Sequence, residues 1–165
     1  MTVRPILTWP DKRLRTACAD VPEITDEVRA IWQDMIDTMD AMPGVGLGAP
    51  QIGVMQRLAV VDTSEARNTR IRLANPEVID ASAIMNEHEE ASPCLSGVSA
   101  KVSRPRGVRV RYLDENGEVV ERDFVGLDAT SVQHQIDHLD GKLYIDRLSK
   151  MKRDMLLRRA KKMKV

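Results

Sequence analysis

The chain has 165 residues, 42% of them apolar, which is enough for one sizeable core and predicts a single domain over residues 1–165. Lys plus Arg and Asp plus Glu each number 25, so the net charge of zero excludes a general electrostatic preference for nucleic acid or for membrane surfaces. No apolar run approaches the roughly 20 residues that span a bilayer, and the first residues have no signal-peptide pattern. We therefore expect a soluble, cytoplasmic protein without a membrane partner.

The first predicted helix begins after Thr25, which can cap it, and carries apolar residues at three- and four-residue steps from Val28 to Met42. Pro43-Gly44 ends this helix. A Gly-rich stretch from Gly44 to Val54 follows, and Leu58 to Val61 then predicts a short apolar strand. The chain thus places a glycine-rich segment between its first helix and its first clear strand.

The middle of the chain predicts strands. Ile71 to Ala74 is one, closed by Asn75-Pro76 because a residue before proline avoids helical geometry and proline lacks an N–H. Val108 to Leu113 alternates apolar and charged residues, as a strand with one buried face does. Asn116-Gly117 then predicts a tight hairpin turn into a further strand from about Glu118 to Val125.

The last third of the chain predicts two helices. One runs from about Leu127 to Leu139, with Gly141 as its C-terminal stop. The segment from Arg147 to Val165 contains nine Lys or Arg residues and one acid, with apolar residues at helical spacing, and predicts a basic amphipathic helix. Strands and separate helices without a repeated βαβ order predict the α+β class.

The chemistry of the chain is concentrated on the second of these helices. His134 and His138 lie four residues apart and therefore on one helix face, where they can share a metal ion, although two ordinary imidazoles would have the same spacing. In the pattern His-Glu-x-x-His the Glu serves as general base, but here that position is Gln135, which has no carboxylate. Cys18 and Cys94 are predicted to be free thiols, and Cys94 is the candidate third ligand.

Three stretches in order carry a family resemblance: Gly44 to Gln51, Cys94-Leu95-Ser96, and Gln133 to Gly141. They resemble the three motifs of the peptide deformylase family. The resemblance extends to Pro10 to Arg15 near the start and to Asn75-Pro76-Glu77 in the middle. It therefore covers nearly the whole chain up to the basic C-terminal segment.

The resemblance implies a fold with antiparallel sheets around a central metal-binding helix and a C-terminal helix. It implies removal of the N-formyl group from nascent polypeptides with one divalent metal ion, Fe(II) or Zn(II), with Ni(II) or Co(II) also suited to the donors. The implied ligands are Cys94, His134 and His138. The Gln51 side chain and the Leu95 backbone N–H are the implied donors to the developing oxyanion.

The same resemblance implies how a peptide binds. An extended N-formylated peptide, or another peptide N-terminus, would pair with the backbone of Val45, Gly46 and Leu47 as an added strand. Pro93 and Thr130 would line the rest of the cleft, and we expect a monomer. Without a ligand, the same glycines would form only a tight turn, and Gln51 would be an amide satisfied by its own loop.

The chain departs from the family pattern at several positions together, which favours natural divergence over one engineered change. Loss of the Glu at position 135 should reduce the rate by about 10²–10⁴-fold or more. Ser92-Pro93 replaces the usual Glu-Gly pair, and Pro93 removes a backbone donor. Asp128, Thr130 and Ser131 stand at usually apolar positions, which predicts a more polar side-chain pocket.

Three functions fit these observations. The first is a weakly active metallohydrolase of the deformylase type. The second is a catalytically silent relative that holds metal and peptide N-termini without turning them over. The third is association with the ribosome through the basic C-terminal helix, because RNA phosphates attract such a surface. A merely solvated helix is the plain alternative for that segment.

Overall fold

The structure, a computed structural model, describes residues 2–163. Its three α-helices are α1 (Asp26–Ala41), α2 (Leu127–Leu139) and α3 (Lys150–Met163). Its strands are β1 (Gly46–Gly48), β2 (Leu58–Val61), β3 (Ile71–Ala81), β4 (Met85–Glu90), β5 (Ala100–Pro105), β6 (Gly107–Leu113) and β7 (Val119–Val125). Short 3-10 helices occupy Lys12–Arg15, Ala49–Ile52 and Tyr144–Arg147.

The strands form two antiparallel sheets. The larger sheet has the order β1-β2-β3-β6-β7, and β4 pairs only with β5. Helix α2 packs on the larger sheet, where Val132, Ile136 and Leu139 join Leu73 and Val110 in one apolar cluster. The arrangement is α+β with a central helix and a C-terminal helix, as predicted.

Helix α1 forms where its sequence predicted it. Thr25 caps it by accepting a hydrogen bond from the Val28 N–H at 3.2 Å. The apolar face of α1, including Trp32, Met35 and Met39, is buried against β1 and β2 in a second cluster. This packing holds the Gly-rich segment that follows α1 in a fixed position beside α2.

Two predictions about the strands were wrong or incomplete. Strand β3 does not end at Asn75-Pro76 but continues to Ala81, because a bulge between Ala74 and Glu77 accommodates the residue without an N–H. Asn75 has a φ of 51°, and its side chain bonds both the N–H and the C=O of Val21. The β4–β5 hairpin, which flanks Cys94, was not predicted at all.

The basic C-terminal segment is helical as predicted, although Lys164 and Val165 lie outside the described residues. Leu156 and Ala160 of α3 are buried in a third cluster with Leu143, Tyr144 and Ile145. Helix α3 is therefore part of the packed structure rather than a free tail. Within residues 2–163, no helix has the length and apolar character to cross a membrane.

Candidate metal and substrate site

Helix α2 is buried from Ala129 to Leu139, so its polar residues lie inside the protein. His134, Gln135 and His138 are 8%, 4% and 1% exposed. The two imidazole rings are neighbours, with centroids 5.0 Å apart, as the four-residue spacing predicts. Burying polar groups without partners is costly, so the partners of each side chain decide what the helix can do.

The two histidines have different surroundings. His134 Nδ1 lies 2.8 Å from Glu90 Oε1, whereas neither ring nitrogen of His138 has a hydrogen-bond partner among the described residues. Burial lowers the pKa of His138 well below its usual value, and the nearby His134 and Arg104 add to this effect against the opposing charge of Asp137. His138 is therefore a neutral imidazole whose nitrogens are available.

Cys94 lies in the loop between β4 and β5 and is 1% exposed. Gln51 Nε2 is 3.4 Å from its Sγ and 3.5 Å from Ser92 Oγ. Burial raises the pKa of the Cys94 thiol, and the hydrogen bonds from Gln51 and Ser92 oppose this rise. Cys18 is also buried and unpaired, as predicted, and burial raises its pKa to about 11.

The two predicted oxyanion donors are both engaged in bonds of their own. The Leu95 backbone N–H donates to Ser92 O at 3.0 Å. The Gln51 side chain is held by its own loop, because Gly48 N–H donates to its Oε1 at 2.9 Å while its Nε2 faces Cys94. A bound carbonyl would have to compete with these contacts.

The Gly-rich segment forms an edge strand. Strand β1 pairs only with β2, and the Asp62 N–H donates to Val45 O at 3.1 Å. In an antiparallel ladder the direction of the backbone groups alternates, so the N–H and C=O of Gly46 point away from β2 and those of Leu47 point towards it. Gly46 thus carries the backbone groups available to an added strand.

The cleft beside this edge has a volume of about 560 Å³ and is lined by Val45, Gly46, Pro93, Thr130 and Gln135 among others. Thr130 Oγ1 lies 2.8 Å from His88 Nδ1. Ser131 Oγ donates to Val45 O at 3.0 Å. Both hydroxyls that the sequence placed in the side-chain pocket are thus bonded within the protein.

The donor set suits a divalent metal ion, although no three His, Cys, Asp or Glu side chains within residues 2–163 already form a metal site. Cys94 offers a thiol and His134 and His138 offer imidazoles, the ligands that such ions take in proteins. The best evidence of fit is His138, whose two buried ring nitrogens have no other partner among these residues. A metal bond would satisfy one of them.

Glu90 and Arg104 were not predicted from the sequence. Both are buried, and they connect His134 to Asp137 through hydrogen bonds of 2.7 to 2.9 Å. Charged residues in a strand that alternates polar and apolar side chains usually face solvent, and neither residue belongs to a motif. Only a prediction of the β4–β5 hairpin could have indicated that they face inward.

This antiparallel α+β fold carries two histidines on a buried central helix and a buried cysteine in the β4–β5 loop, the ligand types of metal-dependent hydrolases. The family model described as polypeptide deformylase matches residues 3–154. The chain is 44% identical to the peptide deformylase of Hydrogenovibrio crunogenus over 157 residues, 95% of this chain and 92% of that protein. It belongs to the peptide deformylase family.

Solved structures agree with this assignment. The crystal structure of a peptide deformylase from Legionella pneumophila has a TM-score of 0.91 and 40% identity, covering 98% of this chain and 95% of that one. The Ehrlichia chaffeensis peptide deformylase in complex with actinonin has a TM-score of 0.92 and 34% identity, covering 99% and 98% of the two chains. Enzymes of this family hold one divalent metal ion and remove N-formyl groups.

Proposed function

We propose that this chain is a deformylase-type protein that binds a divalent metal and peptide N-termini and has little or no hydrolytic activity. The observation that carries the proposal is Gln135, which stands in the cleft at the position of the family's general acid/base. Its Oε1 is buried without a partner within residues 2–163. An amide cannot take up and release a proton at neutral pH, so the proton transfers of hydrolysis lack their carrier.

The residues that would hold the ion are Cys94, His134 and His138. His134 would bind through Nε2, because its Nδ1 faces Glu90. A bound divalent ion supplies Lewis-acid chemistry by polarising a carbonyl and lowering the pKa of a nearby water. These donors suit Fe(II), Zn(II), Ni(II) and Co(II) alike and do not distinguish among these ions.

Peptide binding would use the open edge of β1. The N–H and C=O of Gly46 can pair with an extended peptide, while Pro93, which also lines the cleft, contributes no N–H. Gln135 Oε1 adds an acceptor for a donor on the ligand, which would remove the roughly 1–3 kcal/mol cost of an unsatisfied buried group. The cleft therefore favours holding a peptide over cleaving its formyl group.

The test is Gln135→Glu, assayed with an N-formyl-methionyl peptide after metal loading. We expect the change to raise deformylation by about 10²–10⁴-fold over the unmodified chain, because it restores the proton carrier. Gln135→Met is the matched control, since it alters the same side chain without adding a base and should stay inactive. Bound metal is measured in all three proteins so that rates are compared per metal ion.

Two results would contradict the proposal. Turnover by the unmodified chain equal to that of Gln135→Glu would mean that Gln135 is no obstacle. Failure of any preparation to retain metal would remove the metal-binding part.

A second candidate function is ribosome association through α3. The helix buries Leu156 and Ala160, while Arg158, Arg159, Lys161 and Lys162 remain exposed. An exposed basic surface of this kind attracts RNA phosphates in a salt-dependent manner. Because the apolar side is already packed, α3 can present its charge to a partner without unfolding.

A further inference from the structure

Two adjacent hydroxyls on one turn of α2 form hydrogen bonds to segments of two different sheets. Ser131 Oγ donates to Val45 O at 3.0 Å, just before the edge strand β1. Thr130 Oγ1 lies 2.8 Å from Nδ1 of His88, on β4 of the smaller sheet. Thr130 and Ser131 are both buried, at 6% and 3% exposure. Since β1 and β4 both contribute residues to the cleft lining, these hydroxyls tie the helix to both strands that border the cleft.

The contact between His88 and Thr130 follows from the periods of the strand and the helix. Residues two apart on a strand share a face, so His88 and Glu90 both face α2. Residues four apart on a helix also share a face, so Thr130 and His134 lie one above the other. Glu90 contacts His134 at 2.8 Å, and His88 contacts Thr130 one step earlier on both elements. Two residues of strand (about 6.8 Å) match four of helix (about 6 Å), so β4 runs beside α2 and fixes the Thr130 hydroxyl.

The position of Gly46 indicates where the side chain of a bound peptide would lie. A Cβ built on Gly46 would be 2.7 Å from Ser131 Oγ and 2.6 Å from Gln135 Nε2, so the side-chain face of this residue is the face towards α2. Directly opposed residues of neighbouring antiparallel strands place their side chains on the same face. A peptide residue paired with Gly46 would therefore direct its side chain onto α2.

The surface of α2 that such a side chain meets is polar. The residues of α2 that line the cleft are one apolar residue, Leu127, and four that form hydrogen bonds: Thr130, Ser131, His134 and Gln135. Because Val45 O carries no hydrogen, the Ser131 hydroxyl hydrogen is committed to that bond, and the Ser131 oxygen remains an acceptor. A ligand side chain without a donor would cover this oxygen and exclude water from it, which is costly.

We propose that Thr130 and Ser131 determine the specificity of the cleft by selecting a neutral amide side chain, such as that of glutamine, on the peptide residue paired with Gly46. The amide NH2 group donates to the Ser131 oxygen. An amide has both a donor and an acceptor, so it can also bond the Thr130 hydroxyl whichever role that hydroxyl takes towards His88. Methionine has nearly the same length but only a weakly accepting sulfur. This inference rests on the proposed binding of peptides along β1.

The test compares two peptides of nearly equal size, formyl-Gln-Ala-Ser and formyl-Met-Ala-Ser, by calorimetry on the zinc-loaded protein. We expect the glutamine peptide to bind about tenfold more tightly, the effect of one net hydrogen bond. Thr130→Val combined with Ser131→Ala removes both hydroxyls with little change of shape and should abolish this preference. The matched control is Thr69→Val with Ser103→Ala, which removes two exposed hydroxyls outside the cleft lining and should keep the preference. If the double variant does not fold, Ser131→Ala alone should lower the ratio of the two affinities.

Equal binding of the two peptides by the unmodified protein, or tighter binding of the methionine peptide, would overturn this inference and leave the proposed function standing. Hydroxyls that only hold the strands together would give another result: their loss would weaken both peptides equally, and the unchanged ratio would also overturn the inference. Hydrolysis of the peptides at ordinary rates would contradict only the proposed function, and the ratio of their kcat/KM values would then measure the selectivity. If neither peptide binds, the proposed function fails and this inference fails with it.

Discussion

The Gln135 side chain lies close to Gly46 across the cleft, at the strand edge where we propose that a peptide binds. A Cβ at position 46 would lie 2.6 Å from Gln135 Nε2 and 2.7 Å from Ser131 Oγ. Any side chain at this position would therefore push the Gln135 amide aside. The glycine is needed for this close approach rather than for an unusual backbone angle.

Gly46→Ala should weaken peptide binding roughly tenfold, or about 1.4 kcal/mol, because the displaced amide enters the cleft. Binding is measured by calorimetry with a formylated peptide on the metal-loaded protein. The control is Gly107→Ala, whose added Cβ would meet its neighbours at 3.5 Å and 3.9 Å, ordinary contact distances. Unchanged affinity in Gly46→Ala would place the peptide elsewhere.

At the scale of elements, α1 is tied to the loop after β2 by charge. Asp40, in the last turn of α1, accepts from Arg67 and Arg70 at 2.8 Å each. Burial works to raise the pKa of Asp40, but the hydrogen bonds and charges of these two arginines outweigh it and hold the pKa below 3.8. The ionised form therefore binds α1 to this loop.

The pKa of Asp40 is lower in the folded protein than in the unfolded chain, where it is near 3.8, so the ionised carboxylate stabilises the fold above that pH. This contribution is lost as the pH falls through the lower pKa of the folded state. Asp40→Asn should thus cost roughly 0.2–1 kcal/mol per ion pair near neutral pH, and less below pH 3.8. Urea unfolding across this range measures the difference. Asp80→Asn, which removes an exposed carboxylate without an ion pair within residues 2–163, should show none. A difference that does not change with pH would contradict the assignment.

At the scale of the whole molecule, the structural role of α3 must be separated from its proposed role in binding. Removal of residues 148–165 would uncover Leu143, Tyr144 and Ile145, so a truncated protein should lose stability whatever α3 binds. Changes of charge on its exposed side avoid this problem.

Reversal of four exposed charges, Arg158, Arg159, Lys161 and Lys162 to Glu, should reduce co-sedimentation with ribosomes at low salt and leave the melting temperature within a few degrees. The control reverses the same number of exposed charges elsewhere: Lys12, Lys101, Arg106 and Lys142. Since both variants change the net charge equally, only a contact through α3 separates them. Equal binding by both would count against this function.

The sequence by itself determined the helices, the hairpin turn and the motifs. Thr25, the apolar periodicity of α1 and the four-residue spacing of His134 and His138 act over one or two helical turns, so they are local properties of the chain. The missing carboxylate at position 135 is likewise a matter of residue identity. These features were predictable, and together with the motifs they indicated the family.

The tertiary structure alone decided which groups are left available. It brings Glu90, from a hairpin without a sequence signature, into contact with His134, and Arg104 into contact with Glu90. It also engages three further groups in hydrogen bonds within the protein: the Leu95 N–H, the Thr130 hydroxyl and the Ser131 hydroxyl. Such contacts join residues that are far apart in sequence, and they depend on the packing of the sheet against α2. Local patterns therefore fix where a side chain lies along its element, whereas the packing of elements fixes its partners and so its chemistry.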